Sequence, residues 1–117
     1  MDRLLADCRA RLGFDLLANT WNAVVICALA PGPRRFRDLR ASIGSISSKV
    51  LTETLRRLEA YALVERRAAE DSGPHAAYAL TPLGRTLLEP IEALGRWSAE
   101  HGEAFAAAQK WDEEEPA

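Results

Sequence analysis

The sequence has 117 residues, of which 48% are hydrophobic, and a formal net charge of −2 at neutral pH. That is enough material for one compact domain with a real core. No apolar run reaches the roughly 20 residues of a membrane span, and Asp7, Arg9 and Arg11 interrupt any leader-like apolar block, so a cytoplasmic protein is expected. Two cysteines, Cys8 and Cys27, and two histidines, His75 and His101, supply neither a disulfide framework nor zinc-ligand spacing. No metal and no cofactor are expected.

The charge is unevenly spread. Residues 33–67 hold nine basic side chains against four acidic ones, a surplus of five inside an acidic chain. Such a basic middle points to one surface reserved for a polyanion.

In chain order, Leu4, Leu5, Cys8 and Leu12 recur at helical spacing and predict an amphipathic helix. The longest apolar run, residues 21–30, predicts a buried helix in which Cys27 is inert packing. Pro31-Gly32-Pro33 ends it. A short helix follows with Phe36, Leu39 and Ile43 inward, Arg34, Arg35 and Arg37 at its start, and Gly44-Ser45 as the turn after it.

Residues 47–62 form the clearest helix. Ser47 is its cap, and Ile46 and Leu51 occupy the positions of a hydrophobic staple. Val50, Leu51, Thr54, Leu55 and Leu58 share one face; Ser48, Lys49, Thr52, Glu53, Arg56 and Arg57 share the other. Glu53 stands at helical spacing from both Lys49 and Arg57 and can pair with either.

Residues 63–67 and 76–80 read as two strands of a hairpin, with Arg66 and Arg67 on the first and a polar tip at 68–75 that carries His75. Thr81-Pro82 starts a last helix whose stripe is Leu83, Leu87, Leu88, Ile91, Leu94 and Trp97, with a kink at Pro90.

Helix, turn, capped helix with a basic face, and hairpin make a winged helix-turn-helix. The fold class is α+β, predominantly helical, with terminal dimerisation helices. One domain spans residues 1–112, with the helix-turn-helix and wing at about 33–81, dimerisation helices at 1–20 and 82–110, and a disordered acidic tail at 113–117. An α-helix fits the major groove of duplex DNA, where Ser47, Ser48, Lys49, Thr52 and Arg56 meet base edges or phosphates. Arg34, Arg35 and Arg37, and the wing arginines Arg66 and Arg67, are placed for the backbone. Leu4, Leu5, Leu87, Ile91, Leu94 and Trp97 are candidates for the dimer seam.

Three stretches carry a resemblance. Gly32-Pro33-Arg34-Arg35-Phe36-Arg37-Asp38-Leu39-Arg40, then Ile46-Ser47-Ser48-Lys49-Val50-Leu51-Thr52, then Leu55-Arg56-Arg57-Leu58-Glu59 resemble the HxlR family of bacterial, MarR-like winged-helix regulators. Tyr78-Ala79-Leu80-Thr81 with Gly84, and Pro90 with Leu94 and Trp97, are similar to its later motifs. The resemblance implies a homodimeric repressor or activator on a pseudo-palindromic operator in double-stranded DNA. It also implies an oxidant or small-molecule effector, with Cys8, 13 residues before Trp21, as the redox sensor. Arg9 stands after Cys8 where the family usually has proline, and Ala18-Asn19-Thr20 replaces the usual Gly-Gly-Lys.

Catalysis needs a nucleophile with its base, a metal set or a phosphate loop, and the sequence offers none, so no enzyme is expected. The rival reading is a winged-helix module that binds protein or merely dimerises.

Overall fold

The computed structural model describes residues 9–68 and 76–114, with the backbone alone at 68 and 110–114. Cys8, Leu4, Leu5, His75, most of the hairpin tip and residues 115–117 lie outside the described residues. Asn19 leaves helical geometry at φ −89° and ψ 109° and so divides the N-terminal region into α1 (Ala10–Ala18) and α2 (Thr20–Ala28). Its Oδ1 accepts from the Trp21 amide at 3.0 Å, which caps α2.

Asn22, Val25, Ile26 and Leu29 repeat at helical spacing and are the buried side of α2 and its cap. Cys27 falls off that stripe and is exposed, which corrects the expectation of a packed cysteine. Partial desolvation, and secondarily the charge of Glu92, push its thiol pKa up.

The chain then forms β1 (Arg34–Arg35), α3 (Phe36–Ile43), α4 (Ser48–Ala60), β2 (Val64–Ala68), β3 (Ala76–Leu80), α5 (Pro82–Arg85) and α6 (Leu88–Glu114). The expected hairpin is present as β2 and β3, with Arg66 opposite Tyr78 and Val64 opposite Leu80. It gains a third strand. β1 pairs with β3 through Arg34 opposite Tyr78 and Arg35 opposite Ala77, giving the antiparallel order β1-β3-β2. Arg34 and Arg35 therefore belong to a strand edge and not to the first turn of α3, where the sequence reading put them. Two residues after Pro33 are too few to show a period of two, so this strand left no pattern to read.

Side chains from α2, α3, α4, the sheet and the first turn of α6 meet in one core built on Ile26, Leu29, Leu39, Leu51, Leu55 and Leu58. α4 ends in a Schellman arrangement, with the Leu63 amide on the Leu58 carbonyl and the Ala62 amide on Glu59, both at 3.0 Å. Ala62 occupies the left-handed position at φ 61°, where glycine is usual. Thr81 fastens this corner: its hydroxyl donates to the Ala62 carbonyl at 2.7 Å and accepts from the Gly84 amide at 3.0 Å. Gly84 is required there, because a Cβ would collide with the Leu63 carbonyl oxygen.

The last helix departs from the expected single kinked rod. It breaks into α5 and α6 at Thr86 and Leu87, and Pro90 falls inside the first turn of α6. Pro90 has no N–H for the Thr86 carbonyl, and its ring crowds that oxygen, so the rupture comes one turn upstream of the proline. The Thr86 and Leu87 amides make tighter i→i−3 bonds to Leu83 and Gly84, and the regular ladder resumes when Ile91 reaches Leu87.

α6 then runs 27 residues, about 40 Å at the standard rise. It continues through Glu113 and Glu114, so the start of the expected disordered tail is helical; the alanine-rich, Gln- and Lys-bearing stretch before it propagates well. Among residues 92–109 every one but Gly102 is exposed. No helix among the described residues is long and apolar enough to cross a membrane.

Candidate nucleic-acid interface

The turn between α3 and α4 is held at both ends. Gly44 takes φ 94°, a conformation that L side chains rarely adopt, and the Arg40 guanidinium Nε donates to the Ile46 carbonyl at 3.1 Å. Ile46 is buried, with Leu51 as its staple partner in the same core. The Ser47 hydroxyl accepts from the Val50 amide at 3.1 Å, as expected of the cap. These contacts fix the axis of α4 relative to α3.

α4 buries Leu51, Thr54, Leu55 and Leu58. Thr54 satisfies its hydroxyl on the Val50 carbonyl at 2.8 Å. The opposite face presents Ser48, Lys49 and Arg56, all exposed, with Thr52 half-buried between them. Lys49 and Arg56, seven residues apart, project in nearly one direction. Neither makes an ion pair among the described residues, and the same holds for Arg34, Arg35 and Arg37. Arg37 is exposed on α3, while Arg34 and Arg35 are half-buried in β1.

Two groups of arginines differ from these. Arg66 donates to Glu59 of α4 at 3.1 Å, and its guanidinium carbon lies 5.7 Å from the centroid of Tyr78. The bond to Glu59 raises its already high pKa and keeps it charged. Arg67 pairs with Glu65 two residues away on the same strand, at 2.8 Å. Both wing arginines are thus partly neutralised, yet each stays more than half exposed.

Arg57 leaves the polar face altogether. Its Nε donates to Asn22 Oδ1 at 3.0 Å and its Nη2 to Thr54 Oγ1 at 3.4 Å, joining α4 to α2. Asn22, only 2% exposed, in turn donates to the Leu16 carbonyl of α1 at 3.0 Å. The expected pairing of Glu53 with Lys49 or Arg57 is not formed among the described residues, because Arg57 turns inward to these neutral partners. Sequence periodicity could not find this relay, since its members lie 35 residues apart.

The seam candidates also divide. Ile91 sits in the subunit's own core and Leu87 packs against it, because the first turn of α6 docks on α2. Of these two seam candidates, Ile91 is buried within its own chain and Leu87 is half-buried. Leu94, Trp97 and Phe105 remain 47–53% exposed, Trp97 touching His101 and Phe105 ring to ring along α6.

A basic, capped helix held against a preceding helix by a fixed turn, with a three-stranded wing beside it, defines a winged helix-turn-helix DNA-binding protein. The comparisons with known proteins place it further. The model of the HxlR-like helix-turn-helix matches residues 16–106, and the chain belongs to that family. It is 37% identical over 91 residues to the HTH-type transcriptional regulator YtfH of Escherichia coli, spanning 78% of this chain and 72% of that protein. It is 34% identical over 85 residues to the HTH-type transcriptional regulator YodB of Bacillus subtilis, 73% of this chain and 76% of the relative. Among solved structures, reduced YodB superposes with a TM-score of 0.70 at 33% identity, covering 78% of this chain and 90% of that one. The redox regulator HypR in its reduced form gives 0.75 at 26% identity, covering 84% and 97%. The chain is a DNA-binding transcriptional regulator.

Proposed function

We propose that the protein is a cytoplasmic homodimer that represses or activates transcription from a pseudo-palindromic operator, reading it with Ser47, Ser48, Lys49, Thr52 and Arg56 of the α4 face. The observation that carries this reading is the exposed direction shared by Lys49 and Arg56, without counter-ions among the described residues, on a helix fixed by its cap and turn. Arg34, Arg35 and Arg37 position the domain on phosphates, and Arg66 and Arg67 bring the wing to the flanking backbone. Two subunits set their α4 helices about 34 Å apart, on successive major-groove faces. The exposed apolar side chains of α6, with Phe14 of α1, support the dimer.

The test is anisotropy titration of fragments selected from genomic DNA. Arg56→Ala is expected to weaken specific binding by about 1–3 kcal/mol. Unchanged affinity in folded Lys49→Ala and Arg56→Ala variants rules the face out. Oxidant control through Cys8 is supported by the likeness to YodB and HypR, whose solved forms include diamide-treated and oxidised states. Diamide is expected to lower the operator affinity of the wild type and not of Cys8→Ser; equal responses remove Cys8 from the mechanism.

A further inference from the structure

Between α1, the C-terminal end of α4 and the α5–α6 break lies a cleft of about 790 Å³. That volume falls within the roughly 300–1,000 Å³ of small-molecule sites. Its walls are Leu12, Leu16, Leu63, Leu83 and Leu87, and Arg57 reaches it from the recognition helix.

Arg57 is the unusual element. It is half-buried, yet the groups that hold it, Asn22 and Thr54, are both neutral. No carboxylate lies within ion-pair distance of it among the described residues, and its Nη1 makes no bond there. A guanidinium withdrawn from water ordinarily takes a carboxylate partner, because neutral acceptors return only part of the lost hydration. Asp15 also lines the cleft, but it is exposed and its carboxylate faces Arg11 at 3.6 Å. The cation is also held in place in advance. Asn22 fixes Nε and is itself anchored on α1, so little side-chain entropy remains to be lost when an anion arrives.

We propose that this cleft is an effector site for a small carboxylate with an apolar body, the body lying against the leucines and the carboxylate on Nη1 of Arg57. Its regulatory role rests on the reading of α4 as the recognition helix. Arg57 is the direct neighbour of Arg56, and a carboxylate arriving on Nη1 pulls on the side chain whose Nε bond to Asn22 ties α4 to α2, which changes the seating of α4 on α2. The ligand class follows from the site: leucine walls select an aromatic or branched aliphatic body, and a single prearranged cation selects a single negative charge.

The test is calorimetric titration of the full chain with 1-naphthoate, using uncharged 1-naphthamide as the control. Naphthoate is expected to bind at least tenfold tighter than naphthamide, and Arg57→Leu to lose at least tenfold of that affinity, with Arg57→Lys in between. Thr86→Trp, at the exposed rim, is expected to block the cleft without touching the Asn22–Arg57 bond, and serves if Arg57→Leu does not fold. Absent binding, equal affinity for the two probes, or undiminished binding in folded Arg57→Leu overturns the site. A fall in sedimenting mass on adding naphthoate assigns the cleft to a second copy and also overturns it. Operator affinity is measured separately, first without probe, so failure of the DNA reading is visible apart from the calorimetry. Saturating naphthoate is expected to shift wild-type operator affinity at least threefold and leave Arg57→Leu unmoved; an unshifted wild type overturns the effector role.

Discussion

The helix-turn-helix and the far part of α6 both carry apolar stripes at helical spacing, and the two stripes meet opposite fates. In α2, α3 and α4 the stripe sinks out of solvent, and Leu39, Leu51 and Leu58 have no exposed area at all. Past Ile91, the stripe of α6 continues through Leu94, Trp97 and Phe105 while about half of each side chain faces water. Periodicity announces that a face will be covered; it does not announce by what. The helix-turn-helix is covered by its own chain, so its geometry is set within one subunit. Among the described residues nothing of the same chain lies over the far part of α6, and the proposed dimer would cover its apolar face with a second copy.

That contrast can be broken most directly by truncating one residue on each side of it. Leu55→Ala is expected to cost about 2–5 kcal/mol in urea unfolding, from lost burial and the cavity left behind. Leu94→Ala, measured at high dilution, is expected to cost less than about 0.5 kcal/mol. Equal costs at the two positions would mean that α6 is packed within its own subunit after all. A second change acts on assembly alone. Leu94→Asp with Trp97→Ser is expected to give a monomer in sedimentation at micromolar concentration and to weaken operator binding by about two orders of magnitude, as one half-site is no longer tied to the other. Retention of the wild-type mass would place the dimer seam elsewhere. The smallest effect sharpens the folded side of the comparison. Ala62→Gly is expected to raise stability by less than about 1 kcal/mol, since relief of the left-handed alanine is partly offset by the freer unfolded chain. A loss of stability there would mean that the Ala62 methyl contributes more than its strained backbone costs.

The same contrast governs what could be read in advance. α4 was legible to within two residues, because its cap, staple and apolar face are local signals that agree with each other. The two wing strands and the Thr81-Pro82 helix start were legible for the same reason. β1 was not, because its pairing with β3 depends on residues more than 40 positions away and two residues carry no period. Cys27 was misplaced because the α2 run is apolar nearly all round, which hides its buried side from any periodic reading. The break at Thr86 was misjudged by one turn, since the effect of a proline falls on the carbonyl four residues before it. Of the DNA-facing candidates, the α4 set emerges on one surface, whereas the inward turn of Arg57 and the pairing of Arg66 required the tertiary structure. Both involve partners that are distant in sequence or on another element, Asn22 for the first and Glu59 for Arg66.

The pairing of those wing arginines carries over to the ions around a DNA complex. A basic side chain that already holds a carboxylate displaces fewer counterions from the duplex than one that arrives bare. Arg66 on Glu59 and Arg67 on Glu65 are of the first kind; Arg34, Arg35, Arg37, Lys49 and Arg56, which hold no carboxylate among the described residues, are of the second. A plot of log affinity against log salt should therefore fall with a slope near −4.5 per subunit if all five bare cations meet phosphates, at about −0.9 for each. Were the wing to surrender both its carboxylates on docking, the slope would steepen to about −6.3. The ionic atmosphere thus reports, without any substitution in the protein, whether the wing arginines keep their carboxylates or release them when DNA arrives.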